Sequence, residues 1–238
     1  MSNNNSLVMG EIHGPDALKL LQAALDDPGG LMVPRLLVHH PRFLTEKMVL
    51  WFLQDVPHHR RLLVTGPVGV GKTTLLRWLA QGSIHASDQV WSPGAMTDDI
   101  EKELWTRDFV TDTRVQSPES CDWMLRDPLP TGRICETLRL MASHPQAGVF
   151  AALVLRHPET LAEHLGWIAQ SEQQRLTQDQ VADLIAQAFD TLVHIDRLPT
   201  DGTRRITHIL SRSSEGQWLT LYHWDSARQQ GVFGDDLA

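Results

Sequence analysis

The sequence predicts an α/β fold: a mostly parallel β-sheet flanked by helices and continued at its C-terminal end by an antiparallel strand meander. Three observations predict it. Leu62-Leu-Val-Thr65 is a strand-sized apolar run that leads through the glycine-rich segment Gly66-Pro-Val-Gly-Val-Gly71 into a helix over Lys72–Gln81. Gly148-Val-Phe-Ala-Ala-Leu-Val-Leu155 is a second unbroken apolar run, the mark of a strand buried on both faces. From Thr177 onward the chain spells a capped helix and then three strands, separated by turns at Asp201-Gly202 and Glu215-Gly216.

The remaining elements follow from periodicity and punctuation. Ala17, Leu18, Leu20, Leu21, Ala24 and Leu25 form a helical stripe over Pro15–Asp27, ended by Pro28-Gly-Gly30. Thr45 is placed to cap a second helix, Glu46 to about Gln54, whose Met48, Leu50, Trp51, Phe52 and Leu53 pack on the core. Gln89-Val-Trp91 forms a short strand broken by Ser92-Pro-Gly94, and Thr97–Trp105 is helical. Ser117 is a candidate N-cap, with Pro118 in the first turn of a helix to about Arg126. Pro128, Pro130 and Gly132 interrupt the chain before a helix over Ile134–Ser143, and Pro158 opens another through Ala169. Thr177-Gln-Asp-Gln180 is a capping box for a helix to Phe189. The strands are Leu192–Leu198, Arg204–Ser211 and Trp218–Trp224; in the last, Trp218, Thr220, Tyr222 and Trp224 alternate with Leu219, Leu221 and His223. Leu192-Val-His-Ile-Asp196 also has the form of a Walker B strand ending in aspartate, but the hairpin signals that follow favour an antiparallel strand. Trp51, Trp78 and Trp167 fall in helical apolar stripes and are expected in the core.

Gly66 to Thr73 match the phosphate-binding pattern G-x-x-x-x-G-K-[ST], and the strand before and helix after supply the context that chemistry requires. Glycines let successive main-chain N–H groups point inward at a phosphate, and the helix start adds unpaired donors and the positive end of its dipole. The expected nucleotide-binding residues are Gly66, Pro67, Val68, Gly69, Val70, Gly71, Lys72, Thr73 and Thr74. Lys72 bridges the β- and γ-phosphates of ATP, and the Thr73 hydroxyl holds Mg²⁺. The fold class is therefore a P-loop NTPase, RecA-like core with an appended antiparallel meander. Residues 1–56 are expected as an N-terminal helical segment. Residues 57–238 form the P-loop domain, with its last helix and meander at about 176–225.

Composition narrows the class. The chain has 238 residues, enough for one large domain, with 42% hydrophobic and 21% charged residues, ordinary for a globular protein. The longest clear apolar run, Val149–Leu155, is only strand-sized, so no transmembrane segment is expected, and the polar start lacks the zones of a signal peptide. Two cysteines, Cys121 and Cys135, give no disulfide framework and fit a reducing cytosol. The net charge of −8 disfavours broad binding to nucleic acid, and no direct nucleic-acid partner is expected. Arg60-Arg61 and Arg204-Arg205 are the adjacent arginine pairs and are expected as solvated surface.

The order of these pieces resembles the secretion ATPases, the ring-forming motors of type II and type IV secretion, pilus extension and retraction, and conjugation. Four stretches carry the resemblance: Phe43-Leu-Thr-Glu-Lys-Met48 with the apolar helix after it; Arg60 through Leu75; Ser143-His-Pro-Gln-Ala-Gly-Val-Phe-Ala-Ala-Leu153; and Gln180 through Leu198 with the Asp201-Gly turn and Arg205-Ile-Thr-His-Ile209. The chain departs from the family in three ways. About sixty residues precede the strand, so the family's separate N-terminal domain is expected to be truncated here. Ser92-Pro93-Gly94 stands where the family has an acidic pair. Where the family's Walker B strand ends Gly-Glu, this chain reads Leu129-Pro-Thr-Gly-Arg-Ile-Cys-Glu-Thr137, and its next strand reaches Leu155-Arg156-His157. Glu136 is either the catalytic carboxylate or part of a Glu-Thr pair slightly beyond it.

The resemblance implies an ATPase, with Lys72 and Glu136 as catalytic residues and ATP and Mg²⁺ as ligands. It further implies a homo-oligomer, a hexameric ring, that delivers force to membrane-embedded secretion, conjugation or pilus machinery from the cytoplasm, peripheral at the inner face of the membrane. The degenerate acidic motifs leave open a subunit that holds nucleotide structurally with little hydrolysis, and a P-loop DNA-transposition helper or small-molecule kinase remains a third class. His144 and His157 are candidates near the nucleotide, and Arg133, Arg139 and Arg156 are arginine-finger candidates. His39-His40 and His58-His59 are expected as surface residues, because neighbouring side chains on extended chain face opposite ways.

Overall fold

The computed structural model describes residues 43–55, 61–84, 88–92, 117–213 and 215–234. The helices expected over Pro15–Asp27 and Thr97–Trp105, the boundary at 56/57, Arg60, and the His39-His40 and His58-His59 pairs lie outside the described residues.

The apolar run before the glycine loop forms strand β1 (Arg61–Gly66), buried along its whole length. It pairs in parallel with two strands that come much later in the chain, β4 (Gly148–Val154) and β5 (Thr191–Arg197). Strands β2 (Val90–Trp91) and β3 (Trp123–Arg126) extend the parallel sheet beyond β4. On the other side β5 turns into an antiparallel run of β6 (Arg204–Arg212), β7 (Trp218–Asp225) and β8 (Gln230–Phe233). The eight strands form one sheet in the order β2-β3-β4-β1-β5-β6-β7-β8, the parallel core with antiparallel extension that the sequence predicts.

Side chains alternate between the two faces of this sheet, which separates the core into two clusters. On one face Leu62, Val64, Phe150, Ala152, Val193 and Ile195 meet α1 (Glu46–Asp55) and α2 (Lys72–Ser83). Thr45 caps α1 as expected, its hydroxyl accepting from Met48 N at 3.3 Å, and Phe52 packs edge-on against Trp78 at 6.0 Å. On the other face Leu63, Val149, Ala151, Leu153 and Leu192 meet α3 (Ile134–Ser143), α4 (Leu161–Ser171) and α5 (Gln178–Ala188). The capping box of α5 is present in both directions: Gln180 N donates to Thr177 Oγ1 at 3.2 Å and Thr177 N to Gln180 Oε1 at 2.9 Å.

Four expectations are corrected. Ser117 caps only a single 3₁₀ turn, Pro118–Ser120, and the expected helix gives way to β3. The cause is packing: Trp123 enters one core cluster and Met124 the other, a period of two that suits a strand. Leu192–Leu198 is not simply a strand of an antiparallel meander, because β5 is parallel to β1 on one side and antiparallel to β6 on the other. Trp167 is 63% exposed, because Leu161, Leu165 and Ala169 form the buried stripe of α4. The alternation along β7 is broken by a bulge between Ile209 and Leu210 of β6, so Trp218 packs against one core cluster and Tyr222 within the other. Strand β8 was hidden at the sequence level, in a stretch of Gln, Gly and a single Val-Phe pair.

Arg61 departs furthest from expectation. It is only 6% exposed and begins β1. Its guanidinium donates to four main-chain carbonyls: Ala188 at 3.0 Å, His144 at 2.8 Å, Ala147 at 3.0 Å and Met141 at 2.6 Å. Met141 and His144 end α3, Ala188 ends α5, and Ala147 precedes β4. One side chain thus adds a donor to carbonyls at two helix ends, and its charge meets the negative ends of both dipoles. Burial presses its pKa below the ordinary arginine value, and Asp190 opposes that shift. We predict that Arg61→Met lowers unfolding stability by about 3 kcal/mol or more, since four carbonyls lose a charged donor at once. Arg61→Lys, with one ammonium for four acceptors, falls between the two. Urea unfolding midpoints at constant slope measure both; an Arg61→Met midpoint equal to wild type contradicts the assignment.

Candidate functional site

Strand β1 ends at the edge of the sheet where the glycine loop begins, and β5 makes that loop depend on glycine. Gly66 has φ +147°, and a Cβ there collides with the main-chain carbonyl oxygen of Ile195 and lies 2.9 Å from Val70 Cγ2. Gly71 sits at φ +108°, in the left-handed region, and faces the ring of Phe43, with a Cβ position 2.9 Å from Cε1. Between them Val68 is 80% exposed and Val70 is buried, so the loop is pinned at one side and open at its tip. Helix α2 starts at once, with Leu75 N donating to Gly71 O at 3.0 Å.

Lys72 is 8% exposed. Its ammonium donates to Gly66 O at 2.8 Å and Pro67 O at 2.7 Å, which holds it curled over the loop it follows. Burial lowers its pKa and the Asp127 carboxylate opposes that shift. Asp127 stands immediately after β3, and the next segment is tied to β4 by Leu129 N donating to Ala152 O at 2.7 Å. Burial raises the Asp127 pKa; the nearby Thr73 hydroxyl and the charges of Lys72 and Arg77 lower it. Among the described residues its carboxylate oxygen Oδ2 is buried with no hydrogen-bond partner.

That orphaned oxygen bears on whether the site fits Mg²⁺. The Thr73 hydroxyl stands beside the Asp127 carboxylate, whose Oδ2 has unused hydrogen-bonding capacity among the described residues. Two hard oxygen donors suit Mg²⁺, which takes few protein ligands and completes its shell with water and phosphate oxygens. The residues present fit the ion.

The predicted loop residues Gly66 through Thr74 are thus brought together with Asp127. Glu136 is exposed on the first turn of α3, whose N-terminal amides are held by Glu172 (Ile134 N to Oε1 2.7 Å, Cys135 N to Oε2 3.3 Å). Among the described residues, the carboxylate that acts on Lys72 is Asp127. The sequence carries a signal for it, the apolar Trp123-Met-Leu before Arg126-Asp127, but a helix assigned to that stretch conceals a strand ending in a carboxylate.

His144 lies at the opposite end of β1, where its carbonyl accepts from Arg61, a residue that strand rise puts about 17 Å from Gly66. His157 is on the loop's edge of the sheet but exposed, 3.7 Å from Glu159. Arg133 and Arg156 are exposed, and Arg139 donates to Gln174 Oε1 at 3.0 Å. Burial raises the pKa of both Cys121 and Cys135, away from thiolate reactivity.

A row of polar side chains runs sideways from the loop. Thr65 is opposite His194 on β5, His194 is opposite His208 on β6, and His208 is opposite His223 on β7. Thr65 Oγ1 and His194 Nδ1 are 2.8 Å apart, and the rings of His194 and His208 are 6.2 Å apart. Burial pushes the His194 pKa down to about 4; Asp196 and Glu159 pull it upward, and His208 adds to the depression.

No protein-family model and no curated protein matches this sequence. Solved structures do. The VirB11 ATPase from the Brucella suis type IV secretion system, in complex with sulphate, aligns with a TM-score of 0.54 at 17% identity, over 88% of this chain and 61% of that one. The chain therefore spans about three-fifths of the length of that relative. The Legionella pneumophila ATPase DotB aligns at 0.44, with 14% identity over 73% of this chain and 50% of that one. The pilus retraction motor PilT with bound ADP also aligns at 0.44, with 15% identity over 73% of this chain and 52% of that one. This chain shares the fold of the VirB11 ATPase.

The buried histidine gives a prediction. His194 stays neutral in the folded protein down to about pH 4, whereas in the unfolded chain it protonates near 6.5. The unfolded state then binds the extra proton, so this contribution to stability is present above pH 6.5 and is lost as pH falls toward 4, by about 3 kcal/mol. His194→Gln is expected to flatten the dependence of the urea midpoint on pH in that window; a slope equal to wild type refutes it.

Proposed function

We propose that this chain binds Mg-ATP along residues 66–74 and hydrolyses it as the motor part of a ring that drives secretion, conjugative transfer or pilus assembly and retraction. One observation carries the reading: a lysine and a threonine of the phosphate loop converge with an aspartate whose Oδ2 is buried without a partner among the described residues. The fold shared with a type IV secretion ATPase supports the setting. In this reading the chain assembles as a homo-oligomer, a hexameric ring, in the cytoplasm against the inner face of the membrane, where its partners are the embedded machinery proteins. Among the described residues no helix is long and apolar enough to cross a membrane.

The residues divide the work. Main-chain N–H groups of the loop and of the α2 start donate to phosphate oxygens, and Lys72 adds a charge that burial leaves undiluted by water. Thr73 and Asp127 Oδ2 would hold Mg²⁺, which when bound neutralises charge on the β- and γ-phosphates. The Asp127 carboxylate, beside the Thr73 hydroxyl, would also orient it by accepting its proton in a hydrogen bond.

A second reading, a subunit that holds nucleotide with little turnover, is favoured by one fact: Asp127 is the carboxylate acting on Lys72 among the described residues, and Glu136 is exposed on α3. Fast hydrolysis needs a group that orients water besides those that hold the ion.

Binding of a fluorescent ATP analogue and phosphate release, measured side by side, separate the readings. Lys72→Ala is expected to weaken ATP binding roughly ten-fold or more, and Asp127→Asn to cut turnover roughly a hundred-fold together with its magnesium dependence. Glu136→Gln is expected to leave turnover within about two-fold of wild type. Tight binding with turnover at background in the wild type selects the second reading, and Lys72→Ala binding as well as wild type removes both.

A further inference from the structure

The end of β5 overhangs the phosphate loop. Thr65 of β1 is opposite His194, so Arg197, three residues further along, projects past the strand end where the loop begins. Its guanidinium lies between two main-chain carbonyls: Nη2 donates to Gly69 O in the loop at 3.4 Å, and Nη1 to Gly202 O in the β5–β6 turn at 3.3 Å. Both contacts are long and both acceptors are uncharged. The neighbouring carboxylates are already engaged, Asp196 Oδ1 accepting from the main-chain N of Arg197 at 2.7 Å and Asp201 Oδ1 from Thr203 N and Oγ1. An exposed guanidinium with five donors, held among the described residues by two long contacts to neutral acceptors beside the phosphate loop, has most of its hydrogen-bonding capacity unspent there.

We infer that Arg197 is a binding residue for the terminal phosphate of a nucleoside triphosphate held in its own subunit's loop. The inference rests on the loop reading above and adds a residue from outside the motif. A phosphate oxygen is a stronger acceptor than either carbonyl, and a planar guanidinium takes it with two N–H groups where an ammonium offers a point charge. When Arg197 leaves Gly202 for phosphate, the β5–β6 turn loses a tether to the loop, so the state of the nucleotide reaches the antiparallel extension through this side chain.

The test compares a non-hydrolysable ATP analogue with ADP on wild type, Arg197→Gln and Arg197→Lys, by calorimetry in the presence of magnesium, with thermal melts to confirm folding. Arg197 is exposed, so both variants are expected to melt within a few degrees of wild type. The expected result is a loss of about ten-fold or more in affinity for the triphosphate analogue in Arg197→Gln, a change of less than about two-fold for ADP, and partial recovery in Arg197→Lys. Equal losses for both nucleotides make Arg197 only a brace of the loop and overturn the inference. Unchanged affinities for both, with the wild type binding normally, overturn it alone. A wild-type protein that binds neither nucleotide overturns the loop reading and this inference together.

Discussion

A single buried guanidinium closes the end of the molecule remote from the phosphate loop. Arg61 begins the central strand and collects carbonyls from the ends of α3 and α5 and from the approach to β4. These segments come from residues 141 to 188, far along the chain, and each leaves main-chain acceptors that water cannot reach. A hydrophobic residue at position 61 would extend the apolar run of β1 and take the charged donor from those acceptors, at a cost comparable to a sizeable share of a domain's net stability. The charge also explains why burial is tolerated: it meets two negative dipole ends rather than a single counter-ion. With that end closed, β4, β1 and β5 keep one register, and the opposite end of the sheet is fixed in turn.

At that opposite end, geometry rather than charge sets the requirement. The carbonyl of Ile195 occupies the space a Cβ at Gly66 would need, so the loop lies directly on β5. Asp127 arrives from β3, two strands away from β1, and meets Thr73 across the end of β4. The site is therefore a product of sheet order: the loop from β1 and the carboxylate from β3 face each other because β4 separates their strands by one strand width on each side, about 5 Å.

Much of this was legible in the sequence, and the failures have physical causes. The loop, β1, α2 and α5 carry strong local signals, glycines at fixed offsets, a leucine stripe and a reciprocal cap, and each forms where its residues predict. Arg61 was misjudged because a charge beside another arginine ordinarily marks surface, and nothing local announces that helix ends will converge on it. Asp127 was hidden because Trp123–Arg126 is only four residues long, too short for its alternation to be told from a helical turn. Trp167 was placed in the core because its helix is apolar on more than one side, and only packing decides which side is covered. In each case the missing information is long-range: the identity of the strand or helix end that arrives from elsewhere.

Strand β5 shows what such long-range pairing does for the molecule. It is parallel to the loop-bearing strand and antiparallel to the first strand of the extension, so it belongs to both parts of the sheet. Its Ile195 carbonyl bounds the loop, its His194 joins Thr65 to the histidines of β6 and β7, and its Arg197 touches Gly69. A loop held this closely cannot shift without either opening the Gly66–Ile195 contact or carrying β5 with it. Because β5 shares its ladder with β6, the second course moves the antiparallel extension as well. In a motor of the proposed kind the extension is then the part positioned to turn a change at the nucleotide into displacement, and the route runs through main chain, where packing leaves little slack.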